Sequence, residues 1–182
     1  TTMKMMAYFK KMRGGGASPP RIGPAEIFWS WFGAFLGIGA VALLHYRLFS
    51  GSGLVMLIGS FGASAVLIYG AIASPLAQPR NLLGGHFISG LIGVASYQFI
   101  PDPWLAGAVA VATAIAAMHL SKTLHPPGGA TALIAVIGGA EIHNLGYLYA
   151  LVPAASGAAL MLLIALAVNN IPKSRKYPLF WW

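Results

Sequence analysis

The sequence predicts an all-α membrane protein. Of its 182 residues 58% are hydrophobic and only 8% charged, the mean hydropathy is +0.75, and long apolar segments recur along the chain. A soluble domain has no use for so much apolar surface, whereas a helix needs about 20 apolar residues to cross ~30 Å of hydrocarbon. Cysteine is absent, which excludes disulfides and cysteine-based metal or redox chemistry. The formal charge of +8 would suggest nucleic acid in a soluble protein, but the basic residues lie between and beyond the apolar spans. That pattern reads as topology, so the expected partner is the lipid bilayer and not nucleic acid.

Three parts follow: a basic N-terminal arm at 1–25, a transmembrane domain at 26–170, and a basic and aromatic tail at 171–182. The opening "TTMKMMAYFKKMRGGGASPPRIGP" has a basic start but no compact apolar core with a small-residue cleavage site, so it is expected to be an amphipathic or disordered arm and not a signal peptide. Six apolar segments come next, at 26–48, 54–73, 82–100, 104–122, 128–140 and 147–169. Glu26, Asp102 and Glu141 fall at segment ends, leaving no carboxylate inside a segment. Five segments are near membrane-spanning length. The fifth, 128–140, covers only about 20 Å if helical, so five long transmembrane helices plus one short or broken helix are expected.

Charge decides whether the short segment crosses or turns back. If the N-terminus is cytoplasmic and every segment crosses, ten of the eleven basic residues lie inside and only Arg47 lies outside. A re-entrant fifth segment would move "IPKSRKYP" outside and leave seven of eleven. Six crossings with both termini inside are therefore expected. The aromatic groups "FWSW" and "YPLFWW" suit the two membrane interfaces.

"GASAVLIYG" at 62–70 echoes "GATALIAVIG" at 129–138. Two units of three spans each would sit upside down relative to one another, the 3+3 inverted repeat of many transporters. Both echoes carry candidate site residues. In "HPPGGAT" the prolines forbid helix four from continuing, and a new helix is expected to start near Pro127 or Gly128. Its free N–H groups, from Gly128, Gly129, Ala130 and Thr131, and the positive end of its dipole would then form a small-anion site together with His125 and Pro126. In "GSFGAS", Ser60 and Ser64 share a helical face and Gly62 permits close approach, making an opposite wall. His119 and Lys122 share a face near the inner end of helix four; His125 or Lys122 is the candidate to offset the anion's charge, and His119 or His125 the candidate for proton coupling, since histidine titrates near neutrality. In "SPLAQPRNLLGGH", Pro75 and Pro79 end helix two, Asn81 is a candidate cap for helix three, and Gln78, Asn81 and His86 are candidates for an inner vestibule.

With no carboxylate within the spans, the buried polar inventory is Ser, Thr, His, Lys and helix N-termini, all suited to donating to a negative or neutral solute. Scattered histidines without a carboxylate or cysteine make no metal site, and neither a metal nor a cofactor is expected. An enzyme would need a nucleophile with a base or a metal, so catalysis is not expected.

Together "GSFGASAVLIYG", "SPLAQPRNLLGGH" and "LHPPGGATAL" resemble the HPP family of integral membrane proteins, whose His-Pro-Pro is His125, Pro126 and Pro127 here. The likeness runs from about Trp29 to Pro178. It implies transport of a small monovalent anion, most of all nitrite, in a cyanobacterial-type inner membrane or a chloroplast envelope with cytoplasmic or stromal termini. Two rivals are a non-transporting sensor or scaffold domain and a channel for a neutral solute such as ammonia. At 19.0 kDa one protomer has few helices to enclose a path, so a homo-oligomer is a further expectation.

Overall fold

A computed structural model describes residues 2–182, with side chains from residue 6 onward. Thr1 of the arm lies outside the described residues. Thr2–Lys10 form α1, and residues 14–23 follow as exposed chain without helix. The bundle then comprises α2 (Pro24–Leu44, carried on to Phe49 by wider π-type turns), α3 (Ser60–Ala65, carried on to Gly70), α4 (Pro79–Phe99), α5 (Pro103–Leu120), α6 (Pro126–Ile137), the single turn α7 (Ala140–His143), and α8 (Ser156–Asn169), which π-type turns at Ala150–Ala155 lead into. No strand occurs among the described residues.

Four of these helices, α2, α4, α5 and α6, open on a proline at their first position. There the missing N–H would have had no helical partner and the fixed φ is already helical. Proline therefore punctuates the chain, and the helix after His125 begins at Pro126, one residue before the expected start.

Three stretches are long and apolar enough to cross a membrane: Pro24–Phe49, Pro103–Leu120 and Ala150–Asn169. Helix α4 is as long as a span but carries polar residues inward, since it packs against α5, α6 and α8 at the centre of the bundle. The second predicted span differs from expectation. Residues 54–59 are not helical, and only Ser60–Gly70 coil. A continuous apolar run does not reveal whether it will coil or extend, and here one backbone donor finds a side-chain partner at the end of α2 instead of a helical carbonyl: the Met56 N–H donates to His45 Nδ1 at 3.3 Å. The chain thus has four long helices and two half-length ones, α3 and α6, each about 16–18 Å at ~1.5 Å per residue.

The direction of each helix is fixed by contacts at one end of the bundle. Arg175 joins Glu26, at the start of α2, to Asn169, at the end of α8. Asn169 donates to the carbonyl of Ile68, near the end of α3. Tyr177 donates to Ala77, just before α4, and Asn81 donates to Leu124, just before α6. Starts of α2, α4 and α6 and ends of α3, α5 and α8 therefore share this end, and the helices alternate in direction. Arg80, Lys122, Lys173, Arg175 and Lys176 all sit there, while Arg47 sits at the far end.

The tail is part of the fold. The Arg175 guanidinium, almost wholly buried, reaches both Glu26 carboxylate oxygens, Ser30 Oγ and Asn169 Oδ1 at 2.6–3.0 Å. A buried charge is tolerable only when paired and saturated in this way.

Candidate functional site

Helices α3 and α6 start from opposite directions and overlap by about a turn. Their small residues let α4 approach: a Cβ on Gly93 would fall 2.5 Å from the Ala132 carbonyl oxygen, so only glycine permits the α4–α6 contact. In this crossing five buried side chains meet, Ser60, Ser64, His86, His125 and Thr131.

His125 precedes Pro126 with extended backbone (φ −138°, ψ 105°), as a residue before proline must. That conformation turns its ring inward. His125 Nδ1–H donates to the Leu76 carbonyl at 2.8 Å, and its Nε2 lies 2.9 Å from Ser64 Oγ. Ser64 Oγ is also 2.7 Å from His86 Nε2. On the other side of the same ring, His86 Nδ1 is 2.7 Å from Thr131 Oγ1, which donates to Ser60 Oγ at 2.9 Å. Ser64 and Thr131, the matching hydroxyls of "GASAV" and "GATAL", therefore flank the two nitrogens of one imidazole. Tyr149 closes the cluster by donating to the Thr131 carbonyl at 3.0 Å. Phe61 and His125 both pack edge-on against the His86 ring, with centroids 5.3 and 5.1 Å away.

Several candidates lie elsewhere. The expected N–H site at the start of α6 is closed. Pro126 and Pro127 occupy the first two positions and have no N–H to offer, and the Gly128 N–H is spent on the His125 carbonyl at 2.7 Å. From Gly129 onward the N–H groups belong to the helix's own ladder. The same prolines that start the helix strip it of the donors an anion would use. The Cα of Gly128 is packed as well: a Cβ there would lie 2.8 Å from Ser89 Oγ and 2.9 Å from Met118 Sδ. Gly129 and Ala130 instead border an open, largely apolar groove of about 560 Å³, lined also by Val111, Ile115 and Leu133.

His119 borders that outer groove, because the buried face of α5 runs through Ala110, Ala114 and Met118 and the next residue is rotated about 100° away. Lys122 is exposed in the turn after α5 with φ 57°. Gly62 is exposed on the far side of α3. Asn81 is not a cap, since Gln78 takes that place and Asn81 donates across to Leu124. His86 moves from vestibule candidate to the centre of the cluster. Its signal in the sequence was weak: one histidine after two glycines, on a helix whose inward face is marked by small residues. No group of three metal-ligating side chains occurs among the described residues.

A family model described as HPP, transmembrane region, matches residues 19–178, nearly the whole chain. The chain belongs to the HPP transmembrane family. Two Dictyostelium discoideum proteins, each named only as a transmembrane protein, are 52% and 47% identical to this HPP member over 179 and 186 residues. Those alignments take in 96% and 99% of this chain but 57% and 65% of the relatives, which are longer. No solved structure matches. As an HPP member the chain is an integral membrane protein, and the organism of these relatives lends nothing to a cyanobacterial or chloroplast placement.

Proposed function

We propose that this HPP domain carries a small monovalent anion, nitrite in the first instance, across the bilayer through the cluster where α3, α4 and α6 meet. One observation carries the reading: five buried hydroxyl and imidazole side chains, with no carboxylate among them, lie at the centre of a membrane bundle. Polar side chains are costly in such surroundings and mark function more often than stability. Hydroxyl and imidazole groups can donate to an anion, while a cation would find no negative partner.

The backbone supports the same reading. Transporters place their substrate where interrupted helices meet near the bilayer midplane, and α3 and α6 are two such half-length helices, each entered through non-helical chain. In this account they are counterparts in a 3+3 inverted repeat, with Ser64 and Thr131 in equivalent roles. Side chains, not the N–H groups of the His-Pro-Pro helix, hold the anion. The basic end of the bundle is the cytoplasmic side by the positive-inside rule. Nitrite is preferred over other small anions on the family resemblance. All five side chains of the cluster come from one protomer, so the site does not require a second copy.

The test is uptake of nitrite into proteoliposomes by the purified protein, with nitrate, formate and chloride as competitors. Saturable uptake above that of protein-free vesicles is expected. Its absence from protein of verified insertion would favour the scaffold reading instead.

A further inference from the structure

The hydrogens in the cluster can be placed in two ways that differ by one proton. The Leu76 carbonyl can only accept, so His125 Nδ1 carries a hydrogen. In the first, the single Thr131 hydrogen goes to Ser60 Oγ or to the Pro127 carbonyl, 2.9 and 3.2 Å away, so Thr131 accepts from His86 and His86 Nδ1 carries a hydrogen too. Between them lie two Nε2 atoms and one Ser64 hydroxyl. Ser64 donates to one Nε2 and has to accept from the other. In this arrangement one ring of the pair holds hydrogens on both nitrogens, and the pair carries one positive charge.

A second closed arrangement differs by a single proton. If that proton leaves, Ser60 turns and donates to Thr131, and each bond down the line reverses as far as Ser64. The chain then runs Ser60 to Thr131, to His86, to Ser64, to His125, to Leu76, with every hydrogen used once and no charge. Which state is stable depends on what faces the rings. Helix α3 presents Ser60, Ser64 and Phe61, and α6 presents Thr131. The stretch before α8 brings the Tyr149 hydroxyl, already donating to Thr131, and α5 brings Met118. His119 and Lys122 are on the outside, and Glu26 is engaged by Arg175 at the bundle end. No carboxylate among the described residues stands ready to balance the charged pair, and an unpaired buried charge is strongly disfavoured. An anion supplies that missing partner, so each ligand raises the affinity for the other by the same factor.

We infer that the Ser64-bridged His86–His125 pair is a one-proton site that loads together with one anion, which makes the domain an electroneutral one-to-one proton–anion symporter. This rests on the anion reading above and adds the coupled ion. One proton and one monovalent anion leave one side and arrive together on the other, with no net charge moved and no bond of the anion broken.

The experiment uses nitrite as the probe in proteoliposomes with independent control of pH gradient and membrane potential. Protein-free vesicles set the background from diffusion of the neutral acid. A one-unit pH gradient, alkaline inside, should drive about tenfold accumulation, and a potassium-clamped potential should leave it unchanged. Accumulation that follows the potential and ignores the pH gradient overturns the inference while leaving anion transport standing; no saturable uptake at all removes the anion reading and the symport with it. Independently, ¹⁵N-histidine spectra in nanodiscs, titrated with acid in chloride, should show one proton taken up by the two rings together. Two independent protonations, or none wherever the fold holds, contradict a one-proton site.

Discussion

Ser64 and His125 are 61 positions apart in the chain, yet Ser64 Oγ lies 2.9 Å from His125 Nε2. The same oxygen reaches His86, so one hydroxyl joins the first half-length helix, the central helix and the residue that caps the second. Removing it in Ser64→Ala leaves an imidazole nitrogen on each side without its partner. Each such loss costs roughly 1–3 kcal/mol, and nitrite uptake should fall at least tenfold. Thermal melting in detergent and uptake at matched protein content measure the two effects; normal uptake would move the site elsewhere.

Thr131→Val keeps the shape of the side chain and deletes only the hydroxyl that contacts both His86 and Ser60. It should lose about 1–3 kcal/mol of stability by the same reasoning and most of its transport, while Thr131→Ser should retain most of both. If valine and serine behave alike, the hydroxyl is not the operative group.

His119→Ala and Lys122→Ala, by contrast, should transport like the parent protein. Both side chains stand outside the cluster, one along the outer groove and one in an exposed turn. A severe uptake defect in either, with unchanged expression, would argue that the path runs along the outside of α5.

Packing predictions separate neatly between two glycines. Gly93→Ala would drive a methyl into the backbone of Ala132, whereas a Cβ on Gly39 meets nothing within 4 Å. Overpacking costs about 1–3 kcal/mol, so Gly93→Ala should melt earlier and Gly39→Ala should not. Equal melting of the two would mean that α4 and α6 are more loosely packed than described.

The tail offers a purely electrostatic case. Glu26→Ala leaves the buried Arg175 guanidinium without its carboxylate. Breaking a buried pair from one side costs about 3–5 kcal/mol, and the partial exposure of Glu26 reduces this to about 2–3. A melting shift of that size is expected, and no shift would make the tail a loose attachment.

Much of this was legible in the chain itself. Composition and spacing reveal the helical membrane class, and Ser60, Ser64, His125 and Thr131 stand out because small hydroxyl residues and a broken helix are conspicuous in apolar surroundings. Counting basic residues anticipates that alternate helix ends gather at one basic end, the end that Arg175, Tyr177 and Asn81 hold together. Three things were hidden for physical reasons. Residues 54–59 are not helical although they are as apolar as a helix, because apolar content does not encode backbone geometry. The donors at the head of α6 look available until Pro126 and Pro127 are counted as residues without N–H. His86 becomes central only when three helices are brought together, which no local pattern describes.

The most direct test of the central claim is nitrite uptake by protein carrying His86→Asn or His125→Gln, compared with the parent at equal insertion and equal elution in gel filtration. Loss of saturable uptake in both variants, with the bundle intact, is the expected result. Parent-like uptake in both would contradict the assignment of the buried cluster as the transport site.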